Sequence, residues 1–66
     1  MRRFEVFELL RDINPIITKG MRGVILEVLS RDTYEVEFVK EDGTNFEYQG
    51  QSTFTITQSD IKKIKS

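Results

Sequence analysis

Two runs set the pattern of hydrophobic and polar positions in this chain. Gly20-Met-Arg-Gly-Val-Ile-Leu-Glu-Val-Leu29 passes from a glycine-spaced turn into aliphatic residues, and Tyr34-Glu-Val-Glu-Phe-Val39 alternates apolar residues with acids. Separated by Ser30-Arg31-Asp32-Thr33, they predict a β-hairpin. Setting Glu27 against Glu35 places Val28 opposite Tyr34, Leu26 opposite Val36 and Val24 opposite Phe38. These apolar residues then share one face, and that agreement specifies the register, because a slip of one residue turns all of them to solvent.

The remaining segments extend the same logic. Phe4 to Leu10 predicts a first strand with Phe7 and Leu9 inward, and its apolar residues on both faces suit a strand covered on both sides, with a helix as the competing reading. Asp12-Ile-Asn-Pro15 ends it, since proline cannot donate to a ladder and restricts Asn14 before it. Residues 14–19 form a loop. Lys40-Glu-Asp-Gly-Thr44 predicts a three-residue turn with Gly43 left-handed, which pairs Phe38 with Phe46 and Val36 with Tyr48. Gln49-Gly-Gln-Ser52 interrupts the fourth strand as a bend or excursion, and Phe54 and Ile56 resume the alternation. Ser59 to Ile64 is too short for a stable helix and predicts one 3-10 turn leading into a closing strand, with Ile61 and Ile64 plugging the barrel end.

Five short strands in 66 residues, tightly connected, predict a mostly β, small SH3-like, partly open barrel in one domain, residues 1–66. The expected core is Val24, Leu26, Val28, Tyr34, Val36, Phe38, Phe46 and Tyr48. A chain this short buries only about 60% of its unfolded surface, so its stability is modest. With no cysteine there is no disulfide framework or thiolate metal site, and no long apolar run marks a signal peptide or membrane span. A cytoplasmic setting follows as the expectation.

The net charge is −1, but it is unevenly placed. Residues 1–31 carry six bases and four acids, for +2, residues 32–60 carry one base and seven acids, for −6, and the tail adds three lysines. The middle of the chain is an acidic block on a predicted sheet.

Glu5-Val6, Lys19-Gly20, Gly23-Val-Ile-Leu-Glu-Val28, Tyr34-Glu-Val-Glu-Phe38, Asp42-Gly43 and Asp60-Ile61 occur in an order that resembles the small bacterial family called domain of unknown function 4926. The resemblance spans nearly the whole chain, and Gly-x-Ile-x-Glu-Val followed by Tyr-Glu-Val-Glu-Phe is its most specific part. Arg22 departs from an aliphatic position of that family, and Gln49–Ser52 lengthens the run before the last strand. The resemblance implies the barrel fold and no activity. Lys19-Gly-x-x-Gly is also similar to a turn in translation-factor and Tudor-like modules of this barrel type.

The chemistry argues against an enzyme. Without histidine or cysteine the chain lacks the commonest general base and the strongest neutral-pH nucleophile, and its serines have no histidine to activate them. No cofactor is expected. Glu41-Asp-Gly-Thr-Asn45 lacks the spacing of a calcium loop and reads as a turn. Lys19–Gly23 places two bases beside glycine amides, but it lacks the P-loop ending and reads as a tight entry into the second strand. Nucleic acid is disfavoured because the aromatics fall inward and acids outward, leaving only Arg2, Arg3, Arg22 and the lysine tail for a basic patch.

What remains is the outer sheet face, where the register gathers Glu27, Glu35, Glu37 and Glu47 with a rim of Ile25, Leu29 and Val39. Like charges directly opposite cost about 0.2–1 kcal/mol. A solubility face does not require that cost, since lysine would serve as well. The bland reading is a solvated, edge-protecting face. The sharp one is a face that docks a basic protein, as immunity proteins and antitoxins dock basic nucleases. Alternatives are a ribosome- or RNA-associated module using the basic ends and the Lys19–Gly23 turn, and a homodimer using Ile25, Leu29 and Val39. The protein is expected to be a monomer or homodimer with no membrane partner.

Overall fold

The computed structural model describes residues 5–64. Phe4 of the expected first strand, together with Arg2, Arg3 and Lys65 of the expected basic ends, lies outside the described residues. Five strands, β1 (Glu5–Leu9), β2 (Arg22–Ser30), β3 (Thr33–Phe38), β4 (Thr53–Thr57) and β5 (Ile61–Lys63), form one antiparallel sheet in the order β4-β3-β2-β1-β5. A 3-10 turn, Gln58–Asp60, leads into β5. The sheet curls into a half-barrel consistent with a small SH3-like fold. Phe7, Leu9, Tyr34, Val36, Phe38 and Ile61 are buried as their alternation predicts, with Ile17, Ile25, Phe54 and Ile56 completing the core.

The hairpin register is as predicted only near its turn. Glu27 pairs with Glu35 and Val28 with Tyr34, but the next pairs are Ile25 with Val36, Val24 with Glu37 and Gly23 with Phe38. Leu26 is an extra residue in β2, a bulge that moves everything before it by one position. Ile25, expected on the outer rim, is therefore inward and only 6% exposed. Val24 and Leu26, expected in the core, are half-buried, and Val28 is 58% exposed at the open end of the half-barrel.

Gly23 explains the shift. It lies between Phe7 of β1 and Phe38 of β3 in the same cross-strand row, and the two rings meet edge-on with centroids 5.5 Å apart. A Cβ on Gly23 would sit 2.7 Å from Phe7 Cζ, 2.9 Å from Phe38 Cδ1 and 2.7 Å from the Glu37 carbonyl oxygen. Valine opposite Phe38 cannot share that row with Phe7. The strand gains a residue so that the glycine takes the position.

The turn after β3 is the predicted one. Gly43 has φ +93°, the Lys40 N–H donates to the Thr44 carbonyl at 2.7 Å, and the Phe46 N–H donates to the Phe38 carbonyl at 2.8 Å. Tyr48, however, does not reach Val36. It pairs with Gln51 across a tight turn in which Gln49 (φ +53°) and Gly50 (φ +80°) are both left-handed. This excursion consumes the next residues, so Val36 faces Phe54. Phe46 and Tyr48 pack on the core only in part.

Asp60 clasps the fold from the 3-10 turn. Its residue is 5% exposed. Its carboxylate accepts from Arg11 Nε, from the Thr57 N–H at 3.0 Å and from Thr57 Oγ1 at 3.0 Å, while its carbonyl accepts from the Leu10 N–H at 2.8 Å. The Arg11 hydrogen bond, helped by those of Thr57 against the cost of burial, holds the Asp60 carboxyl below the usual carboxylate range. Farther along β5, Lys63 Nζ lies 3.2 Å from Glu5 and 5.4 Å from the Tyr34 ring centroid.

Gly23→Ala should lower unfolding free energy by about 1–3 kcal/mol in urea titration, because the added methyl meets backbone as well as two rings. Because the folded pKa of Asp60 is depressed, its contribution is complete above the unfolded carboxylate value of about 3.9 and is lost as pH falls through the lower folded value. Asp60→Asn should therefore be less stable than wild type at neutral pH, with the gap in melting temperature closing below about pH 4. A gap that stays constant down to strongly acid pH would remove the charge from the explanation.

Candidate functional site

The pairing sets out the convex face of the sheet row by row. Glu27 stands opposite Glu35, which stands opposite Thr55, and the neighbouring row runs Val6, Val24, Glu37, Thr53. A further row holds Lys62, Glu8 and Arg22. Strand alternation puts these residues on the side away from Phe7, Val36 and Phe54. The face is thus polarised: acids over β2 and β3, uncharged threonines over β4, and two bases flanking one acid over β5, β1 and the start of β2.

Of the expected acidic group, Glu27 is exposed and Glu35 and Glu37 are half-exposed. Glu37 accepts a hydrogen bond from Asn45 Nδ2 at 2.9 Å, which holds its carboxylate toward the β3–β4 turn. Glu47 is exposed but not in the ladder, because the chain leaves the sheet there and Thr53 takes the place beside Glu37. The acidic surface is a β2–β3 patch of three glutamates, with Glu47 in the adjoining excursion. The rim changes too. Leu29 and Val39 are exposed at 47% and 39%, Ile25 is in the core, and Val6 joins the face at 39%.

The other candidate turns spend their polar groups internally. In Lys19–Gly23, the Lys19 N–H donates to Asp12 Oδ1 at 2.8 Å, the Gly20 N–H to the Leu9 carbonyl at 2.8 Å and the Met21 N–H to the Thr18 carbonyl at 3.2 Å. Amides so engaged cannot cradle a phosphate. Asp42 accepts from the Thr44 N–H at 3.0 Å and Thr44 Oγ1 at 2.7 Å, and these bonds hold its carboxyl below the ordinary range. That carboxylate stabilises its own turn. Among the described residues, no cluster of side chains has the makings of a metal site.

Two features escaped the sequence reading. The Arg11–Asp60 clasp joins residues far apart in the chain, although the Thr57-x-x-Asp60 spacing carries a capping-box signature that points to half of it. The other is the open strand β4, Thr53-Phe-Thr-Ile-Thr57, whose lack of any charge was visible but whose edge position was not. No family model, curated protein or solved structure matches this chain.

The opposed pair makes its own prediction. Glu35→Gln should raise stability by about 0.2–1 kcal/mol at low ionic strength, with a smaller gain in high salt, as read from urea midpoints. A loss of stability would show that Glu35 holds contacts beyond its repulsion with Glu27.

Proposed function

We propose that this chain is a non-enzymatic, cytoplasmic protein-binding module whose acidic sheet face meets a basic protein partner. The observation that carries the reading is the direct opposition of Glu27 and Glu35 with Glu37 in the next row, beside threonines and with no base interleaved. Folding alone does not favour that arrangement, since a lysine at any of the three positions would relieve it. A basic partner does, through steered encounter and paired charge on contact. An antitoxin, immunity or inhibitor role is one specific form of this reading. Membership of the small bacterial family resembled above remains a proposal on the same residues, and adds a barrel fold rather than an activity.

The other readings have less behind them. An RNA-associated module loses its best loop, because the Lys19–Gly23 amides are engaged, and Glu8 stands between Arg22 and Lys62. A homodimer through the apolar rim loses Ile25 to the core. No helix among the described residues is long and apolar enough to cross a membrane.

Affinity capture from the source cells identifies the partner, and its on-rate for wild type and for the Glu35→Gln/Glu37→Gln double variant tests the face. The variant should fold and should associate about tenfold more slowly at low salt, with the two rates converging as salt is raised. Equal on-rates at both salt concentrations would discard acidic docking.

A further inference from the structure

The two open edges of the sheet are built differently. β5 is three residues long and carries Lys62 and Lys63, the kind of charge that blocks edge-to-edge pairing. β4 is five residues of threonine alternating with phenylalanine and isoleucine, with neither charge nor proline.

The hydrogen-bond phase shows which of its groups are free. The Gln58 N–H donates to the Asp32 carbonyl at 2.8 Å, and the Phe46 N–H donates to the Phe38 carbonyl. Bonded pairs alternate in an antiparallel ladder, so Tyr34–Ile56 and Val36–Phe54 are the bonded pairs between β3 and β4. Thr53, Thr55 and Thr57 turn their N–H and C=O groups outward. Asp60 takes the Thr57 N–H, and no hydrogen bond among the described residues meets the outward groups of Thr53 and Thr55.

A groove lies against this edge, lined by Thr53, Phe54 and Thr55, by Ile13 and Asn14 of the β1–β2 loop, and by the Tyr48–Gln51 turn. We infer that β4 accepts an extended basic segment of a partner protein as a sixth strand. Its backbone bonds Thr53 and Thr55, and alternate apolar side chains enter the groove toward Ile13 and Tyr48. The intervening lysines or arginines lie over Thr53 and Thr55, whose ladder partners are Glu37 and Glu35. Charge selects the occupant, because Glu35 and Glu37 of the neighbouring strand stand directly opposite Thr55 and Thr53 on the convex face, with no base between them. A second copy would bring the same acids and the same flanking loops against themselves, whereas a lone strand fits the recess.

This inference rests on the protein-binding reading above and specifies its geometry. The probes are two capped hexapeptides, one alternating lysine with valine and one alternating glutamate with valine. The lysine peptide should bind and slow hydrogen exchange at Thr53 and Thr55, and the glutamate peptide should not bind. Thr55→Pro removes an outward N–H without touching the β3 ladder, so it should keep the fold and weaken the lysine peptide by about tenfold or more.

Undiminished binding to folded Thr55→Pro, or no protection at Thr53 and Thr55, overturns strand addition and leaves the acidic face to its own on-rate test. If both peptides bind and both are lost in Thr55→Pro, the edge is real but the basic partner is wrong, and the proposed function falls. Should Thr55→Pro not fold, the exchange measurement on wild type decides. Protection at Thr53 and Thr55 in the protein alone, with a doubled mass in solution, replaces the basic segment by a second copy.

Discussion

The fold depends on the absence of one side chain. Phe7 and Phe38 come from strands that are not neighbours, and they meet only because Gly23 lies between them without a Cβ. The ring contact ties β1 to β3 across β2, and Phe38 reaches on to Phe54 at 5.9 Å, so one aromatic chain links three strands, β1, β3 and β4, and crosses the fourth, β2, over the glycine. Aromatic packing over a strand glycine is a familiar way to curl a sheet. Here it also sets the register, because β2 must accommodate an extra residue at Leu26 to bring the glycine opposite Phe38. The burial of Ile25 follows from that single residue.

The same register organises the surface. Bulging β2 places Val24 beside Glu37 and keeps Glu27 against Glu35, so the acids gather on the β2–β3 part of the convex face. The bases Arg22 and Lys62 stay at the start of β2 and on β5, either side of Glu8. The two ends of the sheet differ in the same sense. Lysines guard β5, and Lys63 is further tied to Glu5. β4 has no such guard and is flanked by acids. Charge polarity and edge chemistry thus coincide on one half of a very small molecule, which is the physical basis for the proposal of a basic protein partner.

Much of this was legible in the chain. Alternation identified β3 with its inward residues, turn chemistry the Asp42-Gly43 turn, and segment length the 3-10 turn before a short closing strand. Strand β1, apolar on both faces, still showed Phe7 and Leu9 as the inward pair. Those features depend on neighbours within a few residues, where backbone preference and the two-residue period of a strand are decisive. Of the acidic group, Glu27, Glu35 and Glu37 lie on the expected face because β3 is regular and Glu27 and Val28 keep simple pairing with it between the irregularities at Leu26 and Leu29. Glu47 was misplaced because Gln49 and Gly50 form a second tight turn whose left-handed glutamine no propensity announces.

By itself the sequence determined the strand content, the inward face of β3 and the sign of the charge on each half of the chain. Only the tertiary structure decided which residues of β2 face the core, which strand lies beside Val36, and that Arg11 reaches Asp60 from the far end of the chain. The hydrophobic run Val24-Ile-Leu has apolar residues at every position, so its periodicity cannot choose a face. The choice belongs to volume: two phenylalanines from different strands need the same space, and a glycine must be brought to it.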